Sequence, residues 1–162
     1  MDAQLATLSA QVGQALAQAG LTLATAESCT GGWVAEVVTH TAGSSTWFDR
    51  GFVTYSNEAK SDMLGVAPEI LASHGAVSEA VAIAMAEGAL RHSRADIALA
   101  VTGIAGPGGG TAQKPVGMVC FAWARRDRPS HSVTCHFEGD REAVRRQTVI
   151  HALQQLLIQN LR

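Results

Sequence analysis

The sequence predicts an α/β fold: a three-layer α/β/α sandwich with a mixed, mainly parallel central sheet of about five strands. Helical and strand-like patterns alternate along the chain in the order α-β-α-β-α-α-β-β-β-α. Hydrophobic residues make up 47% of the 162 residues and charged residues only 16%, which is typical of a compact globular protein. The apolar run Ile97–Val101 is typical of a central strand covered on both faces. We expect one domain over residues 1–162.

The first part of the chain predicts a helix, a strand and a second helix. Leucine and valine recur on one helical face between residues 5 and 19, and Gly20 follows where a C-terminal cap is expected. The stretch Leu21–Ala26 mixes apolar and β-branched residues and predicts the first strand. It leads through the tight turn 27–32 into a helix over Trp33–His40.

The middle of the chain predicts a short strand and three helical segments. Phe52–Tyr55 is expected to form the second strand, and Asn57 to cap a short helix. Pro68 suits the first turn of another short helical segment. Ser78 can cap the longer helix that follows, whose apolar positions face inward.

The last part of the chain predicts a loop, a hairpin and a terminal helix. Glycine is concentrated in residues 102–110, which favours a loop of unusual backbone freedom. Strands are expected over Val116–Ala124 and Ser132–Phe137, joined by the charged turn Arg125–Pro129. Asp140 is the expected N-cap of the terminal helix.

Charge and cysteine content exclude several classes of protein. The net charge is -2 and the pI about 6.3, so no basic field attracts nucleic acid or an anionic membrane. The cysteines number 3 and lack metal-ligand spacing, so we expect no disulfide framework and no metal site. No leader sequence is evident, and the run Ala80–Ala86 is too short to span a bilayer. A cytoplasmic protein is expected.

Three polar segments follow predicted strands and mark the expected site. They are residues 27–32, 55–60 and 102–106. Open α/β sheets bind ligands beyond the carboxyl ends of their strands, so these segments are expected to converge. The first places hydroxyl groups at the start of a helix, a setting that suits an oxyanion or a bound phosphate.

Ser28 and Lys60 are the best candidates for a catalytic pair. Ser28 is equally well explained as a helix N-cap, and a hydroxyl needs a base to become a nucleophile. None of the histidines occupies a comparable position at a strand end. Lys60 can serve as the base if burial lowers its pKa. Cys29 is a rival nucleophile, although a small buried hydrophobic residue is the favoured interpretation.

Other residues near these segments have two interpretations each. Tyr55 either donates a phenol proton or packs at a strand end. Thr102 and Gly103 either offer donors to an oxyanion or form an ordinary turn. Arg141 and Arg145 lie one helical turn apart and either hold a substrate phosphate or form a solvated charged face, which is the favoured interpretation. The glycine-rich loop matches neither the P-loop nor the dinucleotide-binding signature.

Five blocks of sequence together resemble a known family. The blocks are Ala26–Gly32, Gly51–Lys60, His74–Ser78, Thr102–Pro107 and Lys114–Gly117. Their order and spacing resemble the CinA C-terminal domain family, in its stand-alone type without an additional N-terminal domain. The similarity extends from about residue 5 to residue 157.

The resemblance implies an amidohydrolase that acts on nicotinamide mononucleotide. The products would be nicotinic acid mononucleotide and ammonia, in pyridine nucleotide salvage, with no metal or other cofactor. Ser28 would be the nucleophile and Lys60 its base, with Tyr55 and Thr102 supporting the site. The glycine-rich segments would approach the substrate. Our full set of predicted substrate-binding residues is Thr30, Gly31, Gly32, Asn57, Gly103, Gly106, Arg141 and Arg145.

The resemblance also implies a homo-oligomer. The mildly acidic charge predicts no nucleic-acid or membrane partner. A catalytically inactive nucleotide-binding or regulatory module is the main alternative function, although the presence of Ser28 and Lys60 disfavours it. A DNA-processing role, suggested by the family's association with competence, gains no support from a mildly acidic chain.

Overall fold

A computed structural model describes residues 1–161 and contains a five-stranded sheet in the order β2-β1-β3-β4-β5. β1 pairs in parallel with β2 and β3, whereas β4 runs antiparallel to both β3 and β5. Four of the five strands therefore run in one direction. The strands are β1 Leu23–Glu27, β2 Phe48–Val53, β3 Ile97–Gly103, β4 Met118–Arg125 and β5 Arg128–His136.

Helices cover both faces of this sheet. The helices are α1 Ala3–Ala19, α2 Trp33–His40, α3 Asn57–Leu64, α4 Pro68–His74, α5 Glu79–Arg91 and α6 Arg141–Gln155. Helices α1, α2 and α6 pack on one face, and α3, α4 and α5 on the other. A 3-10 turn over Ser44–Thr46 and a π-helical turn over Leu156–Asn160 complete the elements. The predicted three-layer α/β/α sandwich with a mixed sheet is confirmed.

The two faces of the sheet differ in side-chain size. Along β3, Ile97, Leu99 and Val101 contact the layer of α1, α2 and α6, and the alternating Ala98 and Ala100 contact the other layer. Strand residues alternate between faces, so a run that is apolar throughout is buried on both sides. The alanine face lets α5 lie close to the centre of the sheet, against β1, β3 and β4.

β2 differs from its prediction in both of its bounds. The strand covers Phe48–Val53 rather than Phe52–Tyr55. Its segment Asp49–Gly51 consists of residues that disfavour strands. The sequence pattern therefore did not predict that β2 begins before this segment. Pairing with the fully buried β1 overrides this local preference. Tyr55 consequently lies beyond the strand, in the connection to α3.

Two further boundaries are corrected. β5 begins at Arg128 and includes Pro129, because an edge strand can lack one backbone donor without losing its ladder. The expected five-residue turn is therefore only the two residues between β4 and β5. The N-cap of α3 is Ser56 rather than Asn57, since the Ser56 hydroxyl accepts the Ala59 N–H.

Within residues 1–161, none of the helices is both long enough and apolar enough to cross a membrane.

Candidate active site

The three predicted segments meet at one edge of the sheet. β1, β2 and β3 are parallel neighbours, so the residues that follow them leave the sheet at the same edge. Ser28 follows β1 directly, and its backbone N–H donates to Val101 O of β3 at 3.0 Å. This bond extends the ladder by one residue and fixes the position of the serine beside β3.

Ser28 and Lys60 are in direct contact. Lys60 Nζ and Ser28 Oγ lie 3.0 Å apart, and both side chains are buried, with 1% of Lys60 and 8% of Ser28 exposed. Lys60 lies in α3, whose start is fixed by the Ser56 cap. Lys60 Nζ also donates to Thr54 O at 2.9 Å and to Tyr55 O at 3.4 Å.

Burial lowers the pKa of Lys60 from its ordinary value of 10.5. Removing the ammonium group from water disfavours the charged form, and a negative partner could offset this cost. None of the ion pairs formed among residues 1–161 includes Lys60. The geometry therefore favours the neutral amine that a base requires.

The pair faces a cavity of about 280 Å³. The cavity is lined by eight of the predicted site residues, namely Ser28, Tyr55, Asn57, Lys60, Thr102, Gly103, Gly106 and Arg141. The glycine-rich loop contributes Gly108 and Gly109 to the wall, and the segment before α5 contributes Ala76 and Val77. The cavity is thus lined by the sheet edge, the starts of α3 and α6, the glycine-rich loop and the segment before α5.

Three of these residues form a hydrogen-bonded rim. Arg141 donates to Tyr55 Oη at 3.0 Å and to Gly106 O at 2.9 Å. Tyr55 is 61% exposed, so this contact lies at the mouth of the cavity. Deeper inside, the buried Thr102 hydroxyl donates to Ala76 O at 2.9 Å, which ties β3 to the segment before α5.

Four predicted substrate-binding residues lie outside the cavity wall. Thr30 donates its hydroxyl to Glu27 Oε1 at 2.5 Å. Gly31 and Gly32 have φ angles of 59° and 105°, which the sharp turn requires and other residues adopt only with strain. Arg145 donates to the backbone of the same turn. Thr30, Gly31 and Gly32 thus form the turn itself, and Arg145 supports it from α6.

Glu27 is a structural residue of the site that the sequence analysis missed. Its carboxylate is 1% exposed and accepts Val34 N–H at 2.8 Å and Ala35 N–H at 3.0 Å, as well as the Thr30 hydroxyl. The expectation that the start of α2 is open to a substrate anion is therefore wrong, because the carboxylate occupies it. The signal available in the sequence was the acidic residue Glu27 itself, three positions before Thr30 and just ahead of the predicted helix α2.

Cys29 is a poor nucleophile in this setting. Burial raises the pKa of its thiol from 9.0 to about 12, so the thiolate is scarce near neutral pH. The side chain is 6% exposed. Among residues 1–161, no group of three or more histidine, cysteine or acidic side chains is placed to hold a metal ion.

The fold and the site define an α/β protein with a buried serine–lysine pair in a cavity at the carboxyl ends of its parallel strands. The family model of the CinA C-terminal domain matches residues 5–160. The chain belongs to the CinA C-terminal domain family, and the resemblance drawn from the five sequence blocks is confirmed.

Two relatives match this chain over nearly their whole length. Nicotinamide-nucleotide amidohydrolase PncC of Escherichia coli K12 is 59% identical over 155 residues, covering 96% of this chain and 94% of that protein. The protein of the same name from Pseudomonas putida is 50% identical, covering 94% of this chain and 95% of its own. The predicted enzyme class, an amidohydrolase, is confirmed.

A solved structure agrees with the fold throughout. The competence/damage inducible protein CihA from Agrobacterium tumefaciens superposes with a TM-score of 0.95 at 46% sequence identity. The similarity covers 99% of this chain and 98% of that one.

Proposed function

We propose that this protein hydrolyses the carboxamide of nicotinamide mononucleotide, with Ser28 as nucleophile and Lys60 as general base. The observation that carries the mechanism is the 3.0 Å contact between Lys60 Nζ and Ser28 Oγ at a lysine that is 1% exposed. The substrate is taken from the names of the full-length relatives in Escherichia coli and Pseudomonas putida. The reaction belongs to pyridine nucleotide salvage.

The partners of Lys60 favour proton transfer from Ser28. A neutral amine has two hydrogens and one lone pair. Thr54 O and Tyr55 O are carbonyl oxygens and can only accept, so they take the two hydrogens. The lone pair is then left for Ser28, whose hydroxyl is the one partner of the three that can donate. The carbonyl pair thus orients the base.

The reaction proceeds in two halves. Ser28 Oγ attacks the carboxamide carbon while Lys60 takes the hydroxyl proton, and a tetrahedral oxyanion forms. Lys60 returns that proton to the amide nitrogen as its bond to carbon breaks, which releases ammonia and leaves an ester on Ser28. Water then attacks the ester with Lys60 again as base. The acid is released, and the proton returns to Ser28 Oγ.

Arg141 is suited to hold the substrate phosphate. It lies at the mouth of the cavity, where its guanidinium already bonds Tyr55 Oη and Gly106 O. A guanidinium has five N–H donors, so these two bonds leave donors for an anion. Binding a phosphate here, far from the reacting carbon, supplies energy for orienting the carboxamide toward Ser28. Asn57, Gly103 and Gly106 line the same cavity as Arg141 and Ser28.

Thr102 supports the site rather than reacting. Its hydroxyl hydrogen is committed to Ala76 O, so an oxyanion would have to compete for it. The bond holds the segment that contributes Ala76 and Val77 to the cavity wall. Thr30, Gly31 and Gly32 shape the turn that carries Ser28.

The test is a direct assay of product formation. Purified protein with nicotinamide mononucleotide and no added metal is expected to release ammonia and nicotinic acid mononucleotide in equal amounts. Ser28→Ala and Lys60→Met are each expected to reduce kcat by at least about a thousandfold. An inactive wild-type protein that still binds the nucleotide would instead favour the binding-module alternative.

A further inference from the structure

Arg145 braces the turn that carries Ser28 without lining the cavity. From α6, its Nε donates to Cys29 O at 3.0 Å and its Nη2 to Thr30 O at 3.1 Å. The guanidinium carbon lies 5.5 Å from the centre of the Trp33 ring, a cation–π contact. A charged group is therefore held against two consecutive carbonyls of the turn.

A chain of two peptide groups leads from Arg145 toward the nucleophile. Thr30 O, which Arg145 bonds, belongs to the same peptide group as the Gly31 N–H. The Gly31 N–H donates to Ser28 O at 3.1 Å. Ser28 O in turn shares its peptide group with the Cys29 N–H. C=O and N–H point in opposite directions in a trans peptide. A hydrogen bond that fixes the C=O of one peptide group therefore also fixes the direction of its N–H.

The last donor of this chain, the Cys29 N–H, contacts only the thiol of its own residue. Cys29 follows the nucleophile and lines the cavity. Within residues 1–161, the Cys29 N–H has no acceptor on another residue. The residue after a nucleophilic serine often supplies an oxyanion donor, because its N–H lies beside the attacked carbonyl.

We infer that Arg145 is a positioning residue for the hydrolysis: it fixes and polarises the two peptide groups that end at the Cys29 N–H, which donates to the oxyanion. Each hydrogen bond of such a chain strengthens the next, and a cation at the start adds to the effect. The inference rests on the proposed function, since the oxyanion forms only if Ser28 attacks the amide.

Direct contact of Arg145 with substrate does not fit the same observations. The residue is absent from the cavity wall, whereas Arg141, one helical turn away, lines it. The Arg145 guanidinium is held against the turn by its bonds to two carbonyls and by the Trp33 ring, rather than directed into the cavity. A role in the transition state and a role in ground-state binding predict different kinetics, which makes the two separable.

The test compares Arg145→Met and Arg145→Lys with the matched control Arg146→Met. Arg146 is the next residue and bonds Asp2 at 3.0 Å, away from the turn. With nicotinamide mononucleotide, we expect Arg145→Met to lower kcat by about 10- to 100-fold and to change KM by less than about twofold, since losing an oxyanion donor outright costs about 10²–10³ in kcat. Arg145→Lys keeps the charge and is expected to recover part of the loss. The control should match the wild type.

A nuclear magnetic resonance measurement tests the chain without turnover. In Arg145→Met, the Cys29 amide proton is expected to move upfield, because its peptide group is less polarised, and Arg146→Met should leave it unmoved. An unchanged kcat, a higher KM at constant kcat, or an unmoved Cys29 amide would each overturn the inference. If the wild-type protein did not hydrolyse the nucleotide, the proposed function would fail, and the amide shift would still decide whether the chain exists. If the methionine variant does not fold, Arg145→Lys is measured instead and is expected to show a smaller upfield shift of the Cys29 amide proton.

Discussion

Lys60 Nζ lies 3.0 Å from Ser28 Oγ, although the two residues are 32 positions apart in the chain. Ser28 directly follows strand β1, and Lys60 lies in the short helix α3 beyond the edge strand β2. The contact therefore depends on the parallel pairing of β1 with β2. It also places an amine without a carboxylate partner beside a hydroxyl, which is the basis of the first two predictions.

The pH dependence of the rate reports the protonation of Lys60. Since burial lowers the pKa of Lys60 below 10.5, the neutral base becomes available at a lower pH than for an exposed lysine. We expect kcat/KM to rise with pH and to level off before pH 10.5. Lys60→Arg should be inactive throughout, because a guanidinium stays charged. A wild-type profile that is flat from acid to alkaline pH would contradict this role.

Stability should also depend on pH through Lys60. The unfolded chain keeps the ordinary pKa of 10.5, so between the lowered folded pKa and 10.5 the unfolded state binds more protons. The free energy of unfolding therefore gains a contribution that grows as pH rises through this window and shrinks as pH falls. Urea titrations across the window should show that Lys60→Met loses this rise. Equal pH dependence in both proteins would contradict the lowered pKa.

Replacing Cys29 should leave catalysis intact. The thiol has its pKa raised to about 12, so it does not supply the nucleophile. Cys29→Ala is expected to keep kcat within about threefold of the wild type and to cost on the order of 1 kcal/mol of unfolding free energy. Steady-state kinetics with Ser28→Ala in parallel make the comparison. If Cys29→Ala were inactive and Ser28→Ala active, Cys29 rather than Ser28 would be the nucleophile.

Arg141 should act on binding of the phosphate. Arg141→Met is expected to raise KM for nicotinamide mononucleotide by about tenfold or more, with a smaller effect on kcat, because a charged hydrogen bond to an anion is lost. Tyr55→Phe is the matched control, since it removes a partner of Arg141 but keeps the guanidinium. With the phosphate-free riboside, any residual turnover should be unaffected by Arg141→Met. Equal losses on both substrates would exclude a phosphate contact.

The Glu27 carboxylate should contribute measurably to stability. The two oxygens of the Glu27 carboxylate accept Val34 N–H and Ala35 N–H, one each, so in Glu27→Gln the amide NH2 would face one of these backbone donors. We expect a loss of about 1–3 kcal/mol in the free energy of unfolding. The control is Glu36→Gln. Glu36 is exposed on α2, the helix that contains Val34 and Ala35, and its replacement should cost less than about 1 kcal/mol. Denaturant titration measures both, and equal losses would contradict the proposed role of Glu27.

Strong local patterns predicted most of the fold correctly. The continuous apolar run of β3 predicted a strand buried on both faces, and the Asp140 cap predicted the start of α6. β2 was misplaced because Asp49, Arg50 and Gly51 carry no strand pattern of their own. Its pairing with β1 is a long-range interaction, which a local pattern does not record.

The amino-acid sequence alone determined the layered α/β architecture, the family and the two residues proposed for the chemistry, because periodicity and motif blocks are properties of neighbouring positions. Only the tertiary structure separated Arg141, at the mouth of the cavity, from Arg145, behind the turn. One helical turn separates them in the sequence, so both have the same periodicity. Their surroundings differ because α6 crosses from the cavity rim to the back of the Ser28 turn, and this path is set by packing between elements distant in the chain.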